Sequence, residues 1–159
     1  MNKLKHFKIL KITIFTVIIL FATNCSKDQN SFLPYTKINL RISLVNLNHL
    51  TIPGNSILFT TYGFKGVIVS CIDPISGNYS AYDACCPNET DYSGIVELEP
   101  VKGLNTPYMV YSSGYIGKCN QCGSEFNLMG NGQPIKGPAI HYLQSYSISV
   151  GNGNLTVTN

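Results

Sequence analysis

Cysteine is the side chain best placed to do chemistry in this 159-residue chain, and five of its six cysteines lie after residue 70. Cys85 and Cys86 are adjacent and run into Pro87-Asn88-Glu89. With 32 residues between it and Cys86 comes Cys119-Asn120-Gln121-Cys122-Gly123-Ser124-Glu125-Phe126. A Cys-x-x-Cys pair is good metal geometry, because two residues of tight turn let both sulfurs face one ion while backbone N–H groups point at them. Histidine is scarce: His6, His49 and His141 are the whole supply, and none lies two or three residues from a cysteine. His141 reads as a solvated loop residue. Asp83 and Glu89, flanking the first cysteine pair, read as two lone solvated carboxylates.

The elements that must carry these residues read as β-structure. Ile38, Leu40, Ile42 and Leu44 alternate with Asn39, Arg41 and Ser43, the period-2 pattern of a half-buried strand. Residues 56–62 are rich in β-branched and aromatic side chains, and Gly63-Phe64-Lys65-Gly66 bends the chain into Val67-Ile68-Val69. Residues 67–82 are expected as a hairpin around Asp73-Pro74-Ile75-Ser76-Gly77-Asn78. Shorter strands are expected over 95–101 and 107–111. A closing hairpin is expected where Tyr146, Ile148 and Val150 lead through Gly151-Asn152-Gly153-Asn154 into Leu155-Thr156-Val157. No stretch carries a capped amphipathic helix. Short strands at turn-rich spacing imply a small all-β sandwich or barrel.

The cysteine loops, with Gly132-Gln133-Pro134-Ile135-Lys136-Gly137-Pro138-Ala139 behind them, resemble the Rieske iron–sulfur domain. Its pattern is C-x-H, then C-x-x-H-G-S-x-F, then a Gly-Pro-Ala loop, with two cysteines on one iron and two histidines on the other. The resemblance spans roughly residues 36–158. It implies an antiparallel β-sandwich with a small cysteine-bearing two-loop subdomain, a [2Fe–2S] cluster and electron transfer. It places Cys86 and Cys119 at the cysteine positions, and Asn88 and Cys122 where the family has histidine. Ser124, Gly137 and Pro138 fall at positions that support the cluster in the family.

Three readings stay open at this stage. The first is a metal or [2Fe–2S] site on Cys86, Cys119 and Cys122, with a fourth ligand from Cys85, Cys71 or Asn88; zinc is the alternative occupant. The second replaces the cluster with a disulfide, Cys86–Cys119 or Cys86–Cys122, stapling the two loops. The third is a cofactor-free fold kept as a surface binding module. A Cys-x-x-Cys thiol oxidoreductase is disfavoured, because that chemistry wants the first thiol at a helix N-terminus.

The ends and the charge bound the setting. Lys3, Lys5, Lys8 and Lys11 precede an apolar run from Ile12 to Phe21, and Ala22-Thr23-Asn24 leads into Cys25. This reads as a lipoprotein signal over residues 1–24, cleaved before a lipidated Cys25, with residues 25–35 a flexible tether and 36–159 the folded domain. The segment resembles those of Bacteroidota lipoproteins, which implies an outer-membrane site in the cell envelope. Of 11 Lys and Arg, four lie in that segment, which leaves seven against eight Asp and Glu. A net charge of −1 gives no basic patch for nucleic acid. The expected partners are the membrane, through the lipid, and a redox or surface protein. With no phosphate loop, nucleophile elbow or dinucleotide fingerprint, the chain is expected to be at most an electron carrier and not a complete enzyme.

Overall fold

A computed structural model describes residues 33–159. The signal segment, Cys25 and most of the tether lie outside the described residues. Eleven strands are formed among them: β1 (Asn39–Ser43), β2 (Ser56–Phe59), β3 (Val67–Asp73), β4 (Asn78–Asp83), β5 (Val96–Leu98), β6 (Met109–Ser112), β7 (Ile116–Cys119), β8 (Glu125–Asn127), β9 (Gln133–Lys136), β10 (Ser147–Gly151) and β11 (Asn154–Thr158). A single 3-10 turn over Asn48–Thr51 is the described helical element. The domain is all-β and every strand pairing is antiparallel.

The strands form three sheets, ordered β1-β11-β10, β4-β3-β2-β6 and β5-β7-β8-β9. The expected hairpins are present as β3–β4 and β10–β11. In β1 the alternation does what it announces: Leu40 and Ile42 are buried while Asn39 and Arg41 face solvent. The second sheet behaves differently. Ser56, Ile57, Leu58 and Phe59 are all buried, as are Val67 through Cys71. Continuous apolar runs of this kind belong to strands covered on both faces. Ile57, Phe59, Val67, Val69, Tyr79 and Ala81 pack with Leu40, Ile42, Leu155 and Val157 of the first sheet. Leu58, Ile68 and Tyr82, on the other face, pack with Val96, Leu98 and Phe126 of the third and with Leu128 just after β8. The sandwich therefore has a further layer, and that layer carries Cys119.

Strands β7, β8 and β9 lie in segments that show no period-2 pattern. At three or four residues each they are too short to display one, and their pairing supplies what periodicity does not. Phe126 anchors this layer with no exposed surface, a burial that contributes about 1.5–3 kcal/mol.

Asp83, expected in solvent, is fully buried at the end of β4. Its carboxylate accepts hydrogen bonds from the backbone N–H groups of Phe64 (2.6 Å), Lys65 (3.1 Å) and Cys85 (2.9 Å), and from the Tyr146 hydroxyl (2.7 Å). A buried carboxylate is tolerable only with its lone pairs satisfied. Here that requirement ties the 63–66 bend and the strand approaching β10 to the backbone just before Cys86.

Candidate metal centre

Two turns bring the thiols together. The first leaves β4 through Cys85, which bridges to Ile95, and continues with Cys86 N–H donating to Gly94 O at 3.0 Å. The second begins at the end of β7, where Gly123 N–H donates to Cys119 O (3.1 Å) and Cys119 N–H to Ser124 O (2.8 Å). Gly123 completes this knuckle with φ +71°, a left-handed conformation that glycine adopts without steric cost. Asn120 locks the knuckle to β5: its side chain accepts from Ile95 N–H (3.0 Å) and donates to Glu97 Oε1 (3.2 Å).

The sulfurs of Cys86, Cys119 and Cys122 converge with a carboxylate oxygen of Glu89, all four ligand atoms lying within 4.8 Å of one another. Cys86 Sγ and Cys122 Sγ are 3.7 Å apart, close to the tetrahedral edge of about 3.8 Å that metal–sulfur bonds of roughly 2.3 Å imply. Cys86 and Cys119 are buried, and Cys122 and Glu89 half-buried. Glu89 was missed in the sequence as a member of this group. Its signal was available: Cys86-Pro87-Asn88-Glu89 repeats the spacing of Cys119-Asn120-Gln121-Cys122.

The other candidates for a fourth ligand lie elsewhere. Cys85 is outside the group, its Sγ 3.9 Å from Cys86 O; consecutive residues in extended backbone point to opposite sides. Cys71 belongs to the core between the first two sheets. Asn88 turns its side-chain amide to Glu89, donating to Oε1 at 3.3 Å. His141 is exposed. His49 is bound into the base of the domain, 2.8 Å from Ser112 O and edge-on to Tyr111.

Electrostatics divide the thiols. Burial pushes Cys86 well above the ordinary thiol range, against the Asn88 backbone N–H, with the Cys119 and Cys122 thiols adding to the rise. Burial also pushes Cys122 up, but hydrogen bonds from the Ser124 hydroxyl and backbone, then from Cys119 and Cys86, outweigh it and leave Cys122 below that range. Cys85 is pushed up to about 12 by burial first and the Asp83 charge second.

Ser124 joins the third loop to the centre. Its hydroxyl is 3.1 Å from Cys122 Sγ and accepts from Ala139 N–H at 3.0 Å. Gly137, at φ +93°, lies so close to Ser124 that a Cβ would sit 2.6 Å from its Cα and 2.7 Å from its Oγ. Pro138 is exposed beside it.

No protein-family model and no curated protein matches the chain. Among solved structures it is similar to the complex of reduced oxygenase and oxidized ferredoxin in carbazole 1,9a-dioxygenase, at 17% identity and a TM-score of 0.45, over 77% of this chain and 94% of that one. It is similar also to the ferredoxin of carbazole 1,9a-dioxygenase from Nocardioides aromaticivorans IC177, at 16% identity and TM-score 0.43, over 78% of this chain and 98% of that one. A Sphingomonas yanoikuyae B1 ferredoxin gives 16% identity and TM-score 0.44, over 78% and 99%.

Proposed function

We propose that the chain is a lipid-anchored protein of the outer membrane, tethered through Cys25, whose Rieske-like domain binds one thiophilic metal ion at its tip. The observation that carries this reading is the convergence of three sulfurs from two separate turns, Cys86 on one and Cys119 and Cys122 on the other. The Cys-x-x-Cys-Gly-Ser-x-Phe and Gly-Pro-Ala motifs support the family assignment, and the Ser124 contacts to both Cys122 and Ala139 give those motifs a physical purpose.

The donor set does not fit a Rieske two-iron cluster. Such a cluster needs its ligands in two separated pairs, cysteine on one iron and histidine on the other. Here four donors each lie within 4.8 Å of the other three, and none of the group is histidine. No electron-carrier role through that cluster follows. A single ion fits, and its work is to cross-link the two turns into a rigid tip that can be presented to a partner protein at the cell surface. The hydrophobic core between the first two sheets lies in strands that carry none of these ligands, so the fold does not wait on the ion, unlike a zinc finger.

The test is the metal content of the full chain purified in detergent under anaerobic conditions. Bound metal that is lost in each of Cys86→Ser, Cys119→Ser and Cys122→Ser, and kept in Cys85→Ser and His141→Ala, supports the proposal. Metal-free protein with a Cys86–Cys122 or Cys86–Cys119 disulfide would replace it with the stapled module. Fatty-acid labelling that survives Cys25→Ala would remove the anchor.

A further inference from the structure

We propose that Glu89 is the fourth ligand of this centre, making it a mononuclear three-thiolate, one-carboxylate site built for a divalent ion of the zinc class. The inference rests on the reading of Cys86, Cys119 and Cys122 as metal ligands and adds to it the ligand that closes the sphere.

Four independent features of the structure converge on Glu89. Its carboxylate oxygen lies within 4.8 Å of all three sulfurs. The two turns present matched arms, Cys86-x-x-Glu89 and Cys119-x-x-Cys122, so each supplies two donors across a two-residue gap. The Asn88 amide holds Glu89 Oε1 at 3.3 Å, the kind of outer contact that orients a ligating carboxylate. Among the described residues no lysine or arginine pairs with Glu89, and the ion pair that does form there is Lys136–Glu125.

Gly94 supplies the space. A Cβ at this position would stand 2.7 Å from Glu89 Cγ, 2.9 Å from Cys86 Cβ and 3.0 Å from Cys119 Sγ. The bare backbone thus packs directly on three of the four ligand side chains and keeps the Glu89 arm folded over the sulfurs. Glycine is needed here for close approach alone.

The ligand chemistry selects the ion. Three thiolates favour soft or borderline metals, and the carboxylate oxygen disfavours a purely soft ion such as Cu(I). Together the four ligands carry four negative charges when deprotonated, which a divalent ion offsets better than a monovalent one. Binding releases the protons held by the thiols.

The experiment is a titration of the chelator-stripped full chain, anaerobic and in detergent, with Co(II) and then with competing Zn(II). The expected wild-type result is one Co(II) per chain, with thiolate charge-transfer bands and the visible bands of tetrahedral cobalt. Glu89→Gln should bind about 10- to 100-fold more weakly, at least the loss that removing an outer-shell partner causes. Glu89→Cys should restore tight binding and raise the charge-transfer intensity by a fourth thiolate's share. Circular dichroism of both variants checks that the fold is retained. Tight wild-type binding that is unchanged in Glu89→Gln, with no added intensity in Glu89→Cys, would overturn the role of Glu89 and leave the thiols as ligands. No Co(II) binding by the reduced wild type would overturn the metal reading itself.

Discussion

Replacing Asp83 by asparagine removes one charge and almost no volume, at a site where four donors meet one carboxylate. Phe64 N–H and the Tyr146 hydroxyl share Oδ2, and Lys65 N–H and Cys85 N–H share Oδ1. Asparagine has a single acceptor oxygen, so its NH2 must face one of these pairs. The less costly orientation puts the NH2 where Oδ2 was, because the Tyr146 hydroxyl can rotate to accept while the Phe64 N–H cannot. One buried donor is then opposed, at roughly 1–3 kcal/mol, and the remaining bonds lose the strength that a charged acceptor lends them. The expected total is about 3 kcal/mol, or a fall in Tm of roughly 10 °C for a domain of this size. Tyr146→Phe removes one donor and leaves the carboxylate three, so it should cost only about 1 kcal/mol. The assay is thermal or urea unfolding with chelator present, since bound metal would add its own stabilisation. An Asp83→Asn variant within about 0.5 kcal/mol of wild type, or one less damaging than Tyr146→Phe, would refute the reasoning.

In the metal-free protein Cys122 should be the first described thiol to react with iodoacetamide, at pH values below the ordinary thiol range, while Cys85 stays unmodified, because its thiol is buried and pushed up to about 12. Mass mapping of the alkylated peptides across pH checks this order, and Cys85 reacting ahead of Cys122 would contradict it. Alkali should destabilise the fold through two tyrosines. Burial, then the Asp83 contact, pushes Tyr146 up, and burial pushes Tyr79 up to about 12. Each folded-state value lies above the unfolded value of about 10. Their contribution is therefore complete below about pH 10 and is lost as pH rises through the folded-state values. Urea midpoints measured from pH 8 to 11.5 should fall only at the upper end, and less steeply in Tyr146→Phe.

How much of this was legible in the sequence depended on how local the determinant was. β1 and the β10–β11 hairpin announce themselves by alternation and by Gly151-Asn152-Gly153-Asn154, because one face of each strand decides its pattern. Ile57-Leu58-Phe59 and Val67-Ile68-Val69 announce strands too, but their continuity of apolar residues is explained only by a third sheet that short β7, β8 and β9 do not advertise. At the centre, residue type and spacing pick out Cys86, Cys119 and Cys122. Glu89 and Asp83 look alike in sequence, each a carboxylate near a cysteine. Tertiary contacts separate them: Asp83 is buried by donors from positions 64, 65 and 146, and Glu89 is folded over the sulfurs by Gly94. The partners of Asp83 at positions 64 and 146 lie outside any window that a motif could read, whereas the Cys86-x-x-Glu89 spacing and Gly94, five residues further on, lie within one.

The extended X-ray absorption fine structure of the zinc-loaded full chain tests the mononuclear centre most directly. The expected shell is three sulfurs at about 2.3 Å and one oxygen at about 2.0–2.2 Å, with no second metal beyond it. A short metal–metal vector bridged by sulfide in protein loaded with iron, or a zinc shell of four sulfurs and no oxygen, would contradict it.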